Sequence, residues 1–164
     1  MNFPGLSEIY FEGIKFKLSS IFDNAYNDRY VLSSTSESYI VYDMNLHFSV
    51  EKFNQDEIES IKFSFEEEIS SLNAIHDNYI LKRKSSLSNG RSSTKTKIGN
   101  LSPYDGWIQI VQGTVSTEDS NALYFTATIE IEEDIFVFQL IGKEENMGYF
   151  YDDFLELIKS IVEA

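Results

Sequence analysis

The sequence predicts an α+β domain: an antiparallel β-sheet with a long central helix and a C-terminal helix packed on it. Three observations carry the prediction. Residues 38–50 alternate apolar and polar with period two, the pattern of a strand with one buried face. Residues 55–76 switch to apolar intervals of three, four and seven, the pattern of an amphipathic helix. Residues 106–141 hold three strand-like runs whose connections are too short for a parallel crossover.

In chain order, residues 8–18 (EIYFEGIKFKL) read as two short strand pieces around a turn or bulge at Gly13. The run from Ser38 to Val50 reads as one strand. Ile40, Tyr42, Met44, Leu46, Phe48 and Val50 share one face of it; Val41, Asp43, Asn45, His47 and Ser49 share the other. Asn54, with Glu57 three residues on, forms a capping box that opens the long helix. Ile58, Ile61, Phe65, Leu72 and Ile75 make its apolar stripe, with Ile69 beside them. Phe63 and Glu66, Glu67 and Glu68 lie off the stripe, and His76 closes the helix beside its last carbonyls.

Tyr79, Ile80 and Leu81 read as the start of a strand. Lys82, Arg83, Lys84, Arg91, Lys95 and Lys97 then appear with no acid among them, and Asn89-Gly90 signals a turn. The reading is a basic, Ser/Thr-rich hairpin or loop at about 82–99 whose tip is mobile. Gly106–Ser116, Ala122–Glu132 and Ile135–Ile141 follow as an antiparallel meander. In its middle strand Leu123, Phe125, Ala127, Ile129 and Ile131 face one way, and Tyr124, Thr126, Thr128, Glu130 and Glu132 the other. The pattern does not place Gln109 on a face. The last element is a helix at about Tyr151–Val162, buried through Phe154, Leu155, Ile158, Ile161 and Val162, with Asp152 and Asp153 at the positive end of its dipole.

At 164 residues the chain fits one domain, 1–164, with enough length for a core that needs no staples. It has no cysteine, which removes disulfides, thiolate metal sites and cysteine nucleophiles. His47 and His76 are the only histidines, so imidazole chemistry is thin. Thirteen basic against 27 acidic side chains give −14, a balance that repels nucleic acid and anionic membrane. Six of the 13 cations sit between Lys82 and Lys97, leaving seven against 27, or −20, for the rest. No phosphate loop, His-Glu-x-x-His, EF-hand or Gly-x-Ser-x-Gly elbow occurs, and the acids of Glu130–Asp134 are split between strand faces. The expectation is a protein without catalytic residues, cofactor or metal. The first residues carry no leader-like apolar run, and no segment approaches the about 20 apolar residues of a membrane span, so the expected compartment is the cytoplasm.

The stretch from Tyr149 to Ile161, YFYDDFLELIKSI, preceded by IFVFQLIG and by a long helix ahead of the meander, resembles the PsbP/Mog-like α/β/α sandwiches. That superfamily includes photosystem-associated proteins, a Ran-binding nuclear protein and Eag-type secretion chaperones. The resemblance implies a non-catalytic protein-binding module, a secretion-associated chaperone or adaptor, and the expected partner is another protein, basic or with a hydrophobic segment. The acidic balance supports an alternative, an immunity-type inhibitor of a basic toxin. An enzyme without recognisable motifs is a third reading. If both helices cover the apolar face, Asn45, His47, Tyr124, Thr126 and Thr128 line an open polar sheet face and are the partner-binding candidates. The basic arm of Lys82, Arg83, Lys84, Arg91, Lys95 and Lys97 is the second candidate surface.

Overall fold

The computed structural model describes residues 6–19, 26–28, 37–43, 46–62, 70–115, 120–148 and 150–164. Strands β1 (Leu6–Phe11) and β2 (Ile14–Ser19) form the hairpin predicted around Gly13. Glu12 and Gly13 both take positive φ, 44° and 86°, the requirement of a two-residue turn matched to strand twist. Next come β3 (Tyr26–Asp28), β4 (Glu37–Asp43) and β5 (Leu46–Phe53). The single strand expected over 38–50 is therefore a hairpin, with Asp43 opposite Leu46. Its two-residue connection lets the alternating pattern run on, but the cross-strand register places Val41 opposite Phe48 and Tyr42 opposite His47. The parity of the faces thus reverses at the connection, which a period-two reading cannot detect.

Helix α1 (Gln55–Lys62) opens on the predicted capping box: Glu57 N–H donates to Asn54 Oδ1 at 2.9 Å, and Asn54 N–H to Glu57 Oε1 at 3.4 Å. A second helix, α2 (Ser71–Ser85), starts afresh at the Ser70 cap, whose hydroxyl accepts from Asn73 N–H at 3.2 Å. The expected 55–76 helix is thus two helices, and the second continues nine residues past His76. Tyr79, Ile80, Leu81, Lys82, Arg83 and Lys84 belong to α2 rather than to a strand or arm. Leu72, Ile75, Tyr79 and Ile80 continue one helical face, and the three cations of the last turn suit the negative end of the dipole. The predicted stripe positions Ile61, Phe65 and Ile69, with Phe63 and Glu66–Glu68, fall outside the described side chains.

Strands β6 (Ser88–Ser92) and β7 (Thr96–Lys97) do not pair with each other. Both pair antiparallel with β8 (Asp105–Val115), so the 82–99 segment is the end of a helix and the edge of a sheet, not a projecting hairpin. Strand β8 runs on into β9 (Ser120–Ile131) and β10 (Asp134–Lys143), the predicted meander. A one-turn helix α3 (Glu144–Met147), helix α4 (Tyr151–Ser160) and β11 (Val162–Glu163) finish the chain. The main sheet has the order β3-β4-β5-β10-β9-β8-β6, with β7 also on β8; β1, β2 and β11 make a small second sheet.

These elements form layers. On one face of the main sheet lie the small sheet and α4, joined through a core that includes Phe11, Phe16, Phe48, Phe136, Phe138 and Phe154. On the other face α1 and α2 pack over Phe53, Ile135 and Val137, with Ile58, Leu72 and Ile75 as their anchors. Helix α4 ends at Ser160, whose hydroxyl donates to Leu157 O and accepts from Lys17 N–H at 2.7 Å. Val162, expected on the helix and buried, lies instead on β11 and is 41 % exposed. Leu157 takes the buried place beside Phe154, Ile158 and Ile161. Phe154→Ala and Ile158→Ala should each cost about 2–5 kcal/mol in urea unfolding, because both side chains are buried in the core and truncation leaves a cavity. Leu81→Ala, at a side chain 62 % exposed on the same fold, should change stability by less than about 0.5 kcal/mol.

Candidate functional site

The polar face of the meander is where the partner-binding candidates were expected, and it is not open. Helix α2 lies on it. Thr126 and Thr128 have no exposed surface, and Tyr124 is half-buried beneath the Arg83 guanidinium, 5.2 Å from its ring centre. His47 is half-buried on β5, and Asn45 lies outside the described residues. The reason is that both faces of the sheet are covered: the small sheet and α4 take the phenylalanine side, which leaves α2 only the threonine side.

Threonine and glutamine side chains on neighbouring strands make that side compatible with a helix. Gln109 stands across from Thr126, and Thr126 across from Gln139. His76, in the middle of α2 rather than at a helix end, is fully buried above them. Gln109 Nε2 donates to the Ser93 carbonyl at 2.7 Å, so its Oε1 accepts from His76 Nε2–H at 3.0 Å. His76 Nδ1 then accepts from the Thr128 hydroxyl at 2.8 Å. The imidazole is held neutral in one tautomer, and burial depresses its pKa against the opposing pull of the Gln109 hydrogen bond. Both ring nitrogens are in use, which leaves no basic nitrogen for proton transfer to a substrate.

One turn on, Tyr79 donates to Glu51 Oε2, and burial together with that carboxylate raises the phenol pKa. Arg83 donates twice to Gln139 Oε1, at 3.2 and 2.7 Å, and Gln139 Nε2 donates to the Thr126 hydroxyl at 3.0 Å. His47 is pushed down to about 4, first by burial and then by Arg83. Sequence reasoning missed Gln139, Arg83 and Tyr79 as members of this layer. The signal was Gln139 itself, a lone amide in the apolar run IFVFQLI.

The six basic residues are dispersed. Arg83 is tied to Gln139, while Lys95 donates to Asn73 Oδ1 at 2.7 Å and to Asp77 Oδ1 at 3.1 Å. Lys95 and Lys97 both sit over the Trp107 ring, at 4.3 and 5.5 Å. Lys82 is exposed on α2 beside Leu81, Lys84 is half-buried there, and Arg91 is exposed on β6. Together they give the α2 and β6–β7 flank a positive charge. On the other side of the main sheet, the cleft among Leu18, Phe48, Leu140 and Leu157 has a volume of only about 10 Å³, room for about one water. Among the described residues no group of three His, Cys, Asp or Glu side chains could hold a metal, and no helix is long and apolar enough to cross a membrane.

No protein-family model matches the sequence, and no curated protein matches it significantly. Solved structures do. The Saccharomyces cerevisiae Ran-binding protein Mog1p aligns over 98 % of this chain and 96 % of its own, with a TM-score of 0.57 at 7 % identity. A point mutant of Mog1 aligns over 97 % and 96 %, with a TM-score of 0.57 at 6 % identity. The Pseudomonas aeruginosa protein PA94, itself of unknown function, covers 97 % of both chains with a TM-score of 0.53 at 7 % identity. The fold is the PsbP/Mog-like α/β/α sandwich. At such identity the likeness is one of fold, and it spans nearly the whole chain, as the C-terminal stretch from Tyr149 to Ile161 implied.

In this sandwich the two histidines of the α2 layer contribute a pH dependence to stability. Both histidines fold with depressed pKa values, so the stability they lend is complete above their ordinary 6.5 and is lost as pH falls through the folded value, about 4 for His47. The urea midpoint should therefore fall as pH drops from 6.5 to 4. In His47→Gln and His76→Gln variants the same descent should be shallower than in the parent, measured by parallel unfolding series at fixed ionic strength.

Proposed function

We propose that this chain is a non-catalytic protein-binding module, an adaptor, that meets its partner through the exposed flank made by α2 and the β6–β7 edge. The observation that carries the reading is the segregation of charge: six of 13 cations lie between Lys82 and Lys97, and the remainder of the chain stands at −20. Such a flank steers and orients a protein of complementary potential. The shared fold with a Ran-binding protein is consistent with this reading. A secretion chaperone that cradles a hydrophobic client on the sheet is the less favoured form, because Thr126 and Thr128 are sealed under α2. The cytoplasm is the compartment that goes with the adaptor reading.

The test places a photo-crosslinking residue at Leu81 in the living host and then mixes the captured protein, purified, with the chain. An equimolar complex that weakens at least about tenfold on combining Lys82→Glu with Lys84→Glu is the expected result. A complex indifferent to those changes but abolished by salt, with a basic partner, overturns the flank and favours the second reading, an acidic inhibitor of a basic toxin. Substrate turnover by the purified chain overturns both.

A further inference from the structure

The flank ends in an open strand edge held at both ends. Strands β6 and β7 pair with β8 along one side, and among the described residues no strand pairs with their other side. Leu87 and Ile98 bracket the ribbon and are 9 % and 2 % exposed, while no side chain between them is buried. The ribbon is therefore fixed to the body while most of its side chains stay exposed.

Its hydrogen-bonding direction follows from the register. Thr96 stands opposite Ile108 and Lys97 opposite Trp107, and Ile98 N–H donates to Gly106 O at 3.2 Å. In an antiparallel ladder, residues alternate between those whose backbone groups face the partner strand and those whose groups face away. Positions 96 and 98 face β8, so the N–H and C=O of Lys97 point outward. Those groups offer a donor and an acceptor to a further strand.

Charge then selects the strand. Residues 79–100 contain six cations and no acid. Lys97 lies opposite Trp107, on the face that carries α2, and Arg91 lies opposite Gln112, on the reverse face. Both are exposed, Lys97 over the Trp107 ring and Arg91 against the Gln112 side-chain amide, whereas Lys95 is less exposed and held by Asn73 and Asp77. A second copy of this edge would bring like charges together, so the edge disfavours self-pairing and favours an acidic strand.

We infer that the β6–β7 edge takes up an acidic, extended segment of a partner protein as an added strand. Its backbone pairs with Lys97, and its carboxylates meet Lys97 on one face and Arg91 on the other. The recognition mode is strand addition, in which backbone bonds give affinity and alternate side chains give specificity. The inference rests on the protein-binding reading and names the chemistry of the partner.

The test uses the full chain and a synthetic octapeptide of repeating Glu-Glu-Val-Val, which carries glutamate on both faces of a strand, with a Lys-Lys-Val-Val octapeptide as the control. The acidic peptide should bind saturably, weaken at least about tenfold between 50 and 500 mM salt, and slow exchange of the Lys97 amide by at least about tenfold. The lysine peptide should do neither. Lys97→Pro removes the outward N–H while sparing the β8-facing positions 96 and 98, and it should weaken binding of the acidic peptide by at least about tenfold. Lys97→Ser keeps the N–H and should weaken binding while leaving protection at saturation. If Lys97→Pro disturbs the β8 amides, N-methylation of alternate residues in the peptide makes the same cut from the other side and should abolish binding. No binding at about 1 mM peptide, protection at another element, or binding indifferent to both cuts overturns the inference. A crosslinked partner whose complex is weakened by Lys82→Glu and Lys84→Glu but ignores every Lys97 change overturns the strand addition alone and leaves the binding module standing.

Discussion

The seat of α2 on a polar sheet face constrains the rest of this molecule. A histidine, two threonines and two glutamines are buried there, and each unpaired member would cost about 1–3 kcal/mol. They are paired in two chains: His76 joins Thr128 and, through Gln109, the Ser93 carbonyl, while Arg83 joins Gln139 and Thr126. Apolar contacts through Leu72, Ile75 and Ile80 would tolerate a helix that slides or rolls. The hydrogen bonds would not. A shift of one residue turns a helix by about 100° and would strip His76 of both partners at once. The polar layer therefore sets the register of α2, and the greasy stripe supplies the affinity.

The two faces of the main sheet solve different problems. The reverse face is a packed aromatic core in which Phe16 meets Phe48 and Phe138 at ring distances of 5.7 and 5.4 Å, and Phe125 meets Tyr151 at 5.2 Å. Many shapes of similar volume would satisfy it. The α2 face needs specific donors and acceptors at specific positions. Both faces are occupied, so the proposed recognition surface is the outside of α2 with the β6–β7 edge. The close approach of Gly90 to the Lys84 carbonyl, which leaves no room for a Cβ, holds β6 against the end of α2 and makes helix and edge one surface.

Much of the architecture was legible in the chain. The meander of β8, β9 and β10 followed from connections too short for a crossover, the α1 start from Asn54 and Glu57, and the buried side of α4 from Phe154, Ile158 and Ile161. The errors share one cause, since a local pattern does not say where a pattern stops. The β4–β5 connection preserved the alternation across a reversal of direction, so two strands looked like one. Helix α2 passed through His76 and three cations, and those residues imitated a helix end followed by an arm. Of the candidate site, Tyr124, Thr126 and Thr128 were placed on the correct strand and face, but their exposure was misjudged.

By itself the sequence determined the class of fold, the likeness to the PsbP/Mog-like sandwiches, the aromatic core and the separation of a basic segment from an acidic body. Those properties are carried by composition and by periodicities of two and 3.6 residues, which belong to the chain before it folds. Only the tertiary structure decided which face of the sheet α2 would cover, that His76 would be neutral and buried, and that the basic segment would become a sheet edge. Each of these depends on partners distant in sequence: Thr128 lies 52 residues from His76, and Gln139 lies 56 from Arg83. A threonine on a strand is polar whether it faces water or a histidine, and only the arrival of the helix distinguishes the two.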